Sequence, residues 1–200
     1  MGDLDIEDHP HLRAYLVDKG YLGGDETPSI QNLPGGVSNR TVLVQRQTGE
    51  AWVIKQALAK LRVKVDWFSD PSRIHREALG LTWLPRFLPA GTIPTFVFED
   101  EANHIVGMGA VPPPIEDWKD QLLGGAVSLD LVAQFGRILG RIHRGATLIR
   151  ETVQPTFADQ TFFASLRIEP YYLYTAEQQP VAREFLLNLV RETGANVHTL

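Results

Sequence analysis

The 200-residue chain contains no cysteine. That excludes disulfides, thiolate metal ligands and a cysteine nucleophile within it. It also lacks an apolar run of about eighteen residues, so no membrane-spanning helix is expected. Basic charge is in short supply: 19 Lys and Arg stand against 24 Asp and Glu, for a formal charge of −5. A general nucleic-acid binder presents a basic face, so that class is disfavoured, while a small local anion site stays open. The first ten residues, MGDLDIEDHP, are acidic and lack the basic-then-apolar order of a secretory leader. With cysteine absent, the cytoplasm is the default compartment. No internal repeat and no low-complexity tract is present. Apolar residues make up 44% and charged residues 22%, the balance of an ordinary folded chain rather than a disordered one. The length suits one to one and a half domains with a real core.

The order of elements is informative. Residues 8–20 read as a short helix, with Leu12, Tyr15 and Leu16 at helical spacing and Gly20 as its stop. Residues 29–33 form a candidate strand. Residues 41–46 and 51–56 are rich in β-branched residues around Thr48-Gly49, which predicts a β-hairpin. Residues 72–84 form a candidate helix, with Pro71 near its first turn, Pro85 after its end, and an apolar stripe of Ile74, Ala78, Leu81 and Leu84. Residues 95–98 and 104–108 read as strands about a polar turn. The run 111–115 holds three prolines, cannot continue a central strand, and reads as a connector. Beyond it the chain turns helical. Residues 128–148 carry Leu129, Val132, Phe135, Leu139, Ile142 and Ala146 in register behind a Ser128 N-cap, and 175–193 predict a second amphipathic helix. The expectation is an α+β chain in two lobes, a β-rich 1–111 and a helical 112–200.

Three features carry chemistry. The turn Leu33-Pro-Gly-Gly-Val-Ser-Asn39 leads straight into a strand. Adjacent glycines let backbone N–H groups approach a ligand, and such amides suit phosphate oxygens; the plain reading is an ordinary turn. Lys55 lies in Trp52-Val-Ile-Lys55, a strand whose alternate residues are expected to be buried. A buried lysine needs a partner, so Lys55 is either an edge-strand surface residue or a cation held over a phosphate. Glu77 follows Lys55 by 22 residues on the next helix, between the apolar Ile74 and Leu81. Its plain reading is a surface salt bridge to Arg73 or Arg76, worth little.

Glycine turn, hairpin, lysine on its second strand, glutamate on the next helix, two strands and a hinge together resemble the N-terminal lobe of the protein-kinase-like fold. More narrowly, the chain is similar to the aminoglycoside phosphotransferase and methylthioribose-kinase-like families of small-molecule kinases. The segments that carry the likeness are LPGGVSNRTVLV, WVIK, HREALGLTWL and FGRILGRIHRGA, within residues 28–148 and more loosely 162–172. The resemblance implies that Gly35, Gly36, Val37 and Ser38 cover nucleotide phosphates and that Asn39 orients the turn. It implies that Lys55 contacts the α and β phosphates while Glu77 holds Lys55. Met108, Gly109, Ala110 and Val111 become an interlobe hinge whose backbone meets adenine, with Val42 and Ile54 as apolar walls. ATP is then the phosphoryl donor, with Mg²⁺, and the acceptor a hydroxylated small molecule that the sequence does not identify.

The chain departs from that pattern later. The family draws its base from a His-Gly-Asp segment, with an asparagine and a second aspartate for Mg²⁺. No His-x-Asp occurs in these 200 residues, and Val197-His198 is followed only by Thr199 and Leu200. No catalytic residue and no metal ligand is therefore assigned. The expectation is a reading frame truncated at the catalytic loop, binding nucleotide at most and self-associating through helices left without packing partners. The alternative is a non-catalytic nucleotide-binding or interaction module. A third reading is an unrelated α+β domain in which Lys55 and Glu77 are ordinary surface charges; a structure in which they do not face one another would support it. His9 and His11 read as solvated, Asp117 as a surface residue near a substrate cleft, and Arg167, Glu169, Tyr171 and Tyr172 as packing between helices. The encoding DNA, read in all frames past codon 198, is expected to contain a His-Gly-Asp-type segment; its absence there would remove the truncation.

Overall fold

The computed structural model describes residues 4–34 and 36–196. It is an α+β chain built on a five-stranded antiparallel sheet. The strands are β1 (Ser29–Asn32), β2 (Asn39–Gln45), β3 (Ala51–Ala57), β4 (Phe96–Asp100) and β5 (Ile105–Gly109), in the order β1-β2-β3-β5-β4. The hairpin β2–β3 closes where Arg46 N–H donates to the Glu50 carbonyl at 2.8 Å, and Gly49 takes φ +91°, a conformation that a Cβ disfavours. Val42 then pairs with Ile54 and Thr41 with Lys55.

Alternation along the strands divides the sheet into two faces. On one face Val42, Val44, Trp52, Ile54, Phe98 and Ile105 meet helix α1 (His9–Asp18) through Leu12 and Leu16. Asp8 caps α1 by accepting from His11 N–H, and Gly20, at φ +74°, ends it. On the other face Val53, Ala57, Val106 and Met108 meet α2 (Ile74–Trp83) through Ile74, Ala78 and Leu81. A 3₁₀ turn, Pro71–Arg73, leads into α2, and Asp70 caps it by accepting from Ser72 N–H at 2.9 Å. Gly107 admits no side chain, because a Cβ there would lie 2.4 Å from the Phe98 ring. Buried Gln56 is satisfied by the Leu4 carbonyl at 2.7 Å and by Ile6 N–H at 3.3 Å.

After 111–117 the chain is helical: α3 (Trp118–Leu123), α4 (Leu129–Leu148), α5 (Arg150–Phe157), α6 (Thr161–Phe163) continuing as a π-helical stretch (Ala164–Leu173), α7 (Tyr174–Gln178) and α8 (Arg183–Asn196). The single helix expected over 175–193 is thus two helices. Pro180 lacks an N–H and pushes Gln179 to φ −125°, ψ 83°, outside the helical region. Ser128 caps α4 as expected, accepting from Leu131 N–H. Leu129, Val132, Phe135 and Leu139 of the α4 stripe are exposed, although Phe135 tilts against Trp118 at 5.5 Å. Of the cluster expected to pack between helices, Arg167, Glu169 and Tyr171 are exposed and Tyr172 is partly buried. The chain forms two compact units, Met1–Ile138 and Leu139–Leu200, divided within α4. Among the described residues no helix is long and apolar enough to cross a membrane.

One polar cluster ties α1 to the β4–β5 turn. The Tyr15 hydroxyl donates to Asp100 at 2.8 Å, as do Asn103 N–H and its amide at 3.0 Å, with Lys19 at 3.5 Å. Burial pushes the Asp100 carboxyl up, but the hydrogen bonds from Asn103 and Tyr15 outweigh it, and its pKa falls from 3.8 to about 2. The folded value lies below the unfolded one, so the contribution is complete above about pH 4. It is lost as pH falls towards about 2, and amounts to about 2 kcal/mol. Asp100→Asn is expected to lose that amount at pH 7 in urea unfolding, with the gap to the parent chain closing between about pH 4 and pH 2. A gap independent of pH would refute the assignment.

Candidate functional site

The site grows from the β3 face that α2 covers. Lys55 and Val53 stand on this face, opposite to Trp52 and Ile54. Lys55 Nζ donates to Glu77 Oε1 at 2.6 Å, one turn into α2. Their side chains are 27% and 35% exposed, so the pair is half-buried and still open to a ligand. The two residues face one another, so the arrangement that would have supported an unrelated domain is not the one found. Arg73 directs its guanidinium to backbone carbonyls instead.

The glycine turn lies at the same end of the sheet. A Cβ on Gly36 would sit 3.0 Å from the Asn39 carbonyl and 3.6 Å from Thr41 Oγ1, so the turn folds tightly over Thr41. Thr41 is the cross-strand partner of Lys55. Leu58 N–H donates to the Ser38 carbonyl at 3.0 Å, which makes Asn39–Ala57, Thr41–Lys55 and Leu43–Val53 the closely spaced, non-hydrogen-bonded pairs of this ladder. Arg62 N–H donates to the Val37 carbonyl at 2.8 Å, while its guanidinium grips Glu7 at 2.8 and 2.6 Å. That grip holds the Glu7 carboxyl below the ordinary carboxylate range. Val37 is exposed; Ser38 and Asn39 are partly covered. Gly35 lies outside the described residues.

The structure distributes the remaining candidates unevenly. Met108 pairs with Val53 and is buried on the Lys55 face. Gly109 and Ala110 spend their N–H groups on the sheet, donating to Thr95 at 2.8 Å and to Ala51 at 2.8 Å. Gly109 also needs to be glycine for packing, since a Cβ would meet Thr95 Oγ1 at 2.5 Å. Val111 is exposed, and its N–H is the last before three prolines. Val42 and Ile54 are corrected: both are fully buried against α1, on the face away from Lys55. Leu43 and Val53, partly buried and paired, stand instead on the Lys55 face. Strict alternation from Lys55 was the available signal. His9 bonds Asn32 at 2.8 Å, His11 pairs with Asp8 at 3.2 Å, and Asp117 caps α3 by accepting from Lys119 N–H.

Two side chains missed in the sequence also secure α2. His75 Nδ1 meets Glu99 at 2.5 Å and its Nε2 faces His104 at 3.3 Å. Arg73 is buried, and its guanidinium donates to four carbonyls, those of Ser38, Leu58, Ser69 and Asp70. A cation in the first turn of a helix opposes the helix dipole, and that mismatch was the sequence signal that its task lies elsewhere. No family model matches the chain, and no curated protein matches it.

Because the Lys55–Glu77 pair is partly solvated, its net worth to folding is below about 1 kcal/mol. Glu77→Gln is therefore expected to stay folded, with a urea midpoint close to that of the parent. A collapse of the fold would show the pair to be a structural element instead.

Proposed function

We propose that residues 28–111 form the nucleotide-binding lobe of an ATP-dependent phosphotransferase with a protein-kinase-like fold. In this reading the chain is akin to the aminoglycoside phosphotransferase and methylthioribose-kinase-like enzymes, which phosphorylate a hydroxyl of a small molecule. The observation that carries the reading is the 2.6 Å Lys55–Glu77 bond on the sheet face over which the glycine turn folds. An ammonium has three donors, and Glu77 uses one of them. The others can meet α- and β-phosphate oxygens, while the turn at Gly36, Val37 and Ser38 offers backbone amides to the same anion. Asn39 begins β2 and fixes where the turn ends. Leu43 and Val53 supply apolar walls for adenine, and the Val111 N–H its edge contact.

The metal fits less well. Among the described residues no group of three or more His, Asp or Glu side chains is placed to hold a metal ion, so no step is routed through Mg²⁺. No residue is assigned as the base, since no His-x-Asp occurs in these 200 residues. That observation favours, for this chain by itself, the second reading of nucleotide binding without transfer.

Calorimetric titration of the chain with ATP tests the proposal. Saturable one-to-one binding is expected, weakened in Lys55→Ala by roughly 1–3 kcal/mol, the range for charge-assisted contacts. No binding by a demonstrably folded chain, or unchanged affinity in folded Lys55→Ala, would overturn it.

A further inference from the structure

Arg73 and Glu77 are four residues apart and so lie on one side of the same helical start. Glu77 reaches Lys55 on β3. Arg73 reaches the glycine turn: its Nη2 donates to the Ser38 carbonyl at 2.5 Å and to the Leu58 carbonyl at 2.8 Å, on either side of the β2–β3 ladder end. Its Nη1 returns to Ser69 and Asp70 at 3.1 Å, within the approach to α2. Burial draws the guanidinium pKa down and the nearby Asp70 charge draws it up. Its hydrogen bonds all go to carbonyl groups rather than to a carboxylate, so this is a structural fork more than an ion pair. A planar guanidinium can span two peptide groups and the chain behind it at once, which a lysine ammonium cannot.

We infer that Arg73 is a positioning residue that locks the glycine turn to α2, so that one helix sets the turn and, through Glu77, Lys55 together. This rests on the nucleotide reading above for what the turn and lysine do jointly. Preorganisation of this kind reduces the ordering that a bound phosphate chain would otherwise impose. A shift of α2 would withdraw the lysine and loosen the turn in one movement.

The test has two independent readouts. The first is amide hydrogen exchange in the ligand-free chain, at Leu58 N–H and Arg62 N–H, the two donors that hold the Ser38 and Val37 carbonyls. In Arg73→Gln and Arg73→Lys these two amides are expected to exchange about tenfold faster, while those of Val106 and Met108 keep their protection. The second is ATP affinity by calorimetry. Arg73→Gln is expected to weaken it at least about fivefold and Arg73→Lys nearly as much, because charge without the fork does not hold two peptide groups. Lys55→Ala is expected to lose affinity with exchange at Leu58 and Arg62 unchanged. Should Arg73→Gln fail to fold, Arg73→Lys, which keeps the charge, decides the matter. Parent-like exchange or affinity in Arg73→Lys overturns the role of Arg73. A folded parent chain that binds no ATP overturns the nucleotide reading instead, and the positioning of a ligand falls with it.

Discussion

Side chains on a β-strand must alternate between faces, and β3 makes the whole first unit depend on that constraint. Trp52, Ile54 and Gln56 go to the α1 side, where one apolar cluster and the N-terminal segment close over them. Val53, Lys55 and Ala57 go to the α2 side. A lysine placed among Val53, Val106 and Met108 cannot be left bare, and a carboxylate on the covering helix answers it. A one-residue slip of β3 would bury Lys55 against α1 and expose Ile54, so the register and the site are specified by the same packing.

Magnitudes separate what holds the fold from what shapes the site. Burial of the two apolar clusters supplies the stability, at roughly 1.5–3 kcal/mol for each large aliphatic side chain. The Lys55–Glu77 pair adds little, because water still reaches it. Arg73 is a different case: it is buried, and its removal would take one of two donors from the Ser38 carbonyl and its own donor from the Leu58 carbonyl. The beginning of α2 is therefore secured at three residues, Arg73, His75 and Glu77, each directed at a different strand or turn. The ion pair is weak, but the helix that carries Glu77 is well anchored.

Helical periodicity predicted α1, α2 and α4 closely, because each has a cap or a proline at its start and an apolar stripe. It failed over 175–193, where one apolar pattern runs across Pro180 and the proline decides otherwise. It was silent on the π-helical stretch that contains Pro170. Gly109 and Ala110 were legible only as glycine and proline punctuation. Their hydrogen-bond partners, Thr95 and Ala51, lie on other segments.

From the chain alone came the classes of element, their order, and the candidate pair Lys55 and Glu77, since local propensity and spacing are properties of neighbours in sequence. The pairing itself, at 2.6 Å across 22 residues, was settled only when α2 was laid on the β3 face. The same is true of Arg73, whose carbonyl partners lie as far as 35 residues away, and of the face on which Leu43 and Val53, rather than Val42 and Ile54, stand with Lys55. Which face of a strand is buried against which helix depends on contacts remote in sequence. Tertiary packing therefore decided where the chemistry stands.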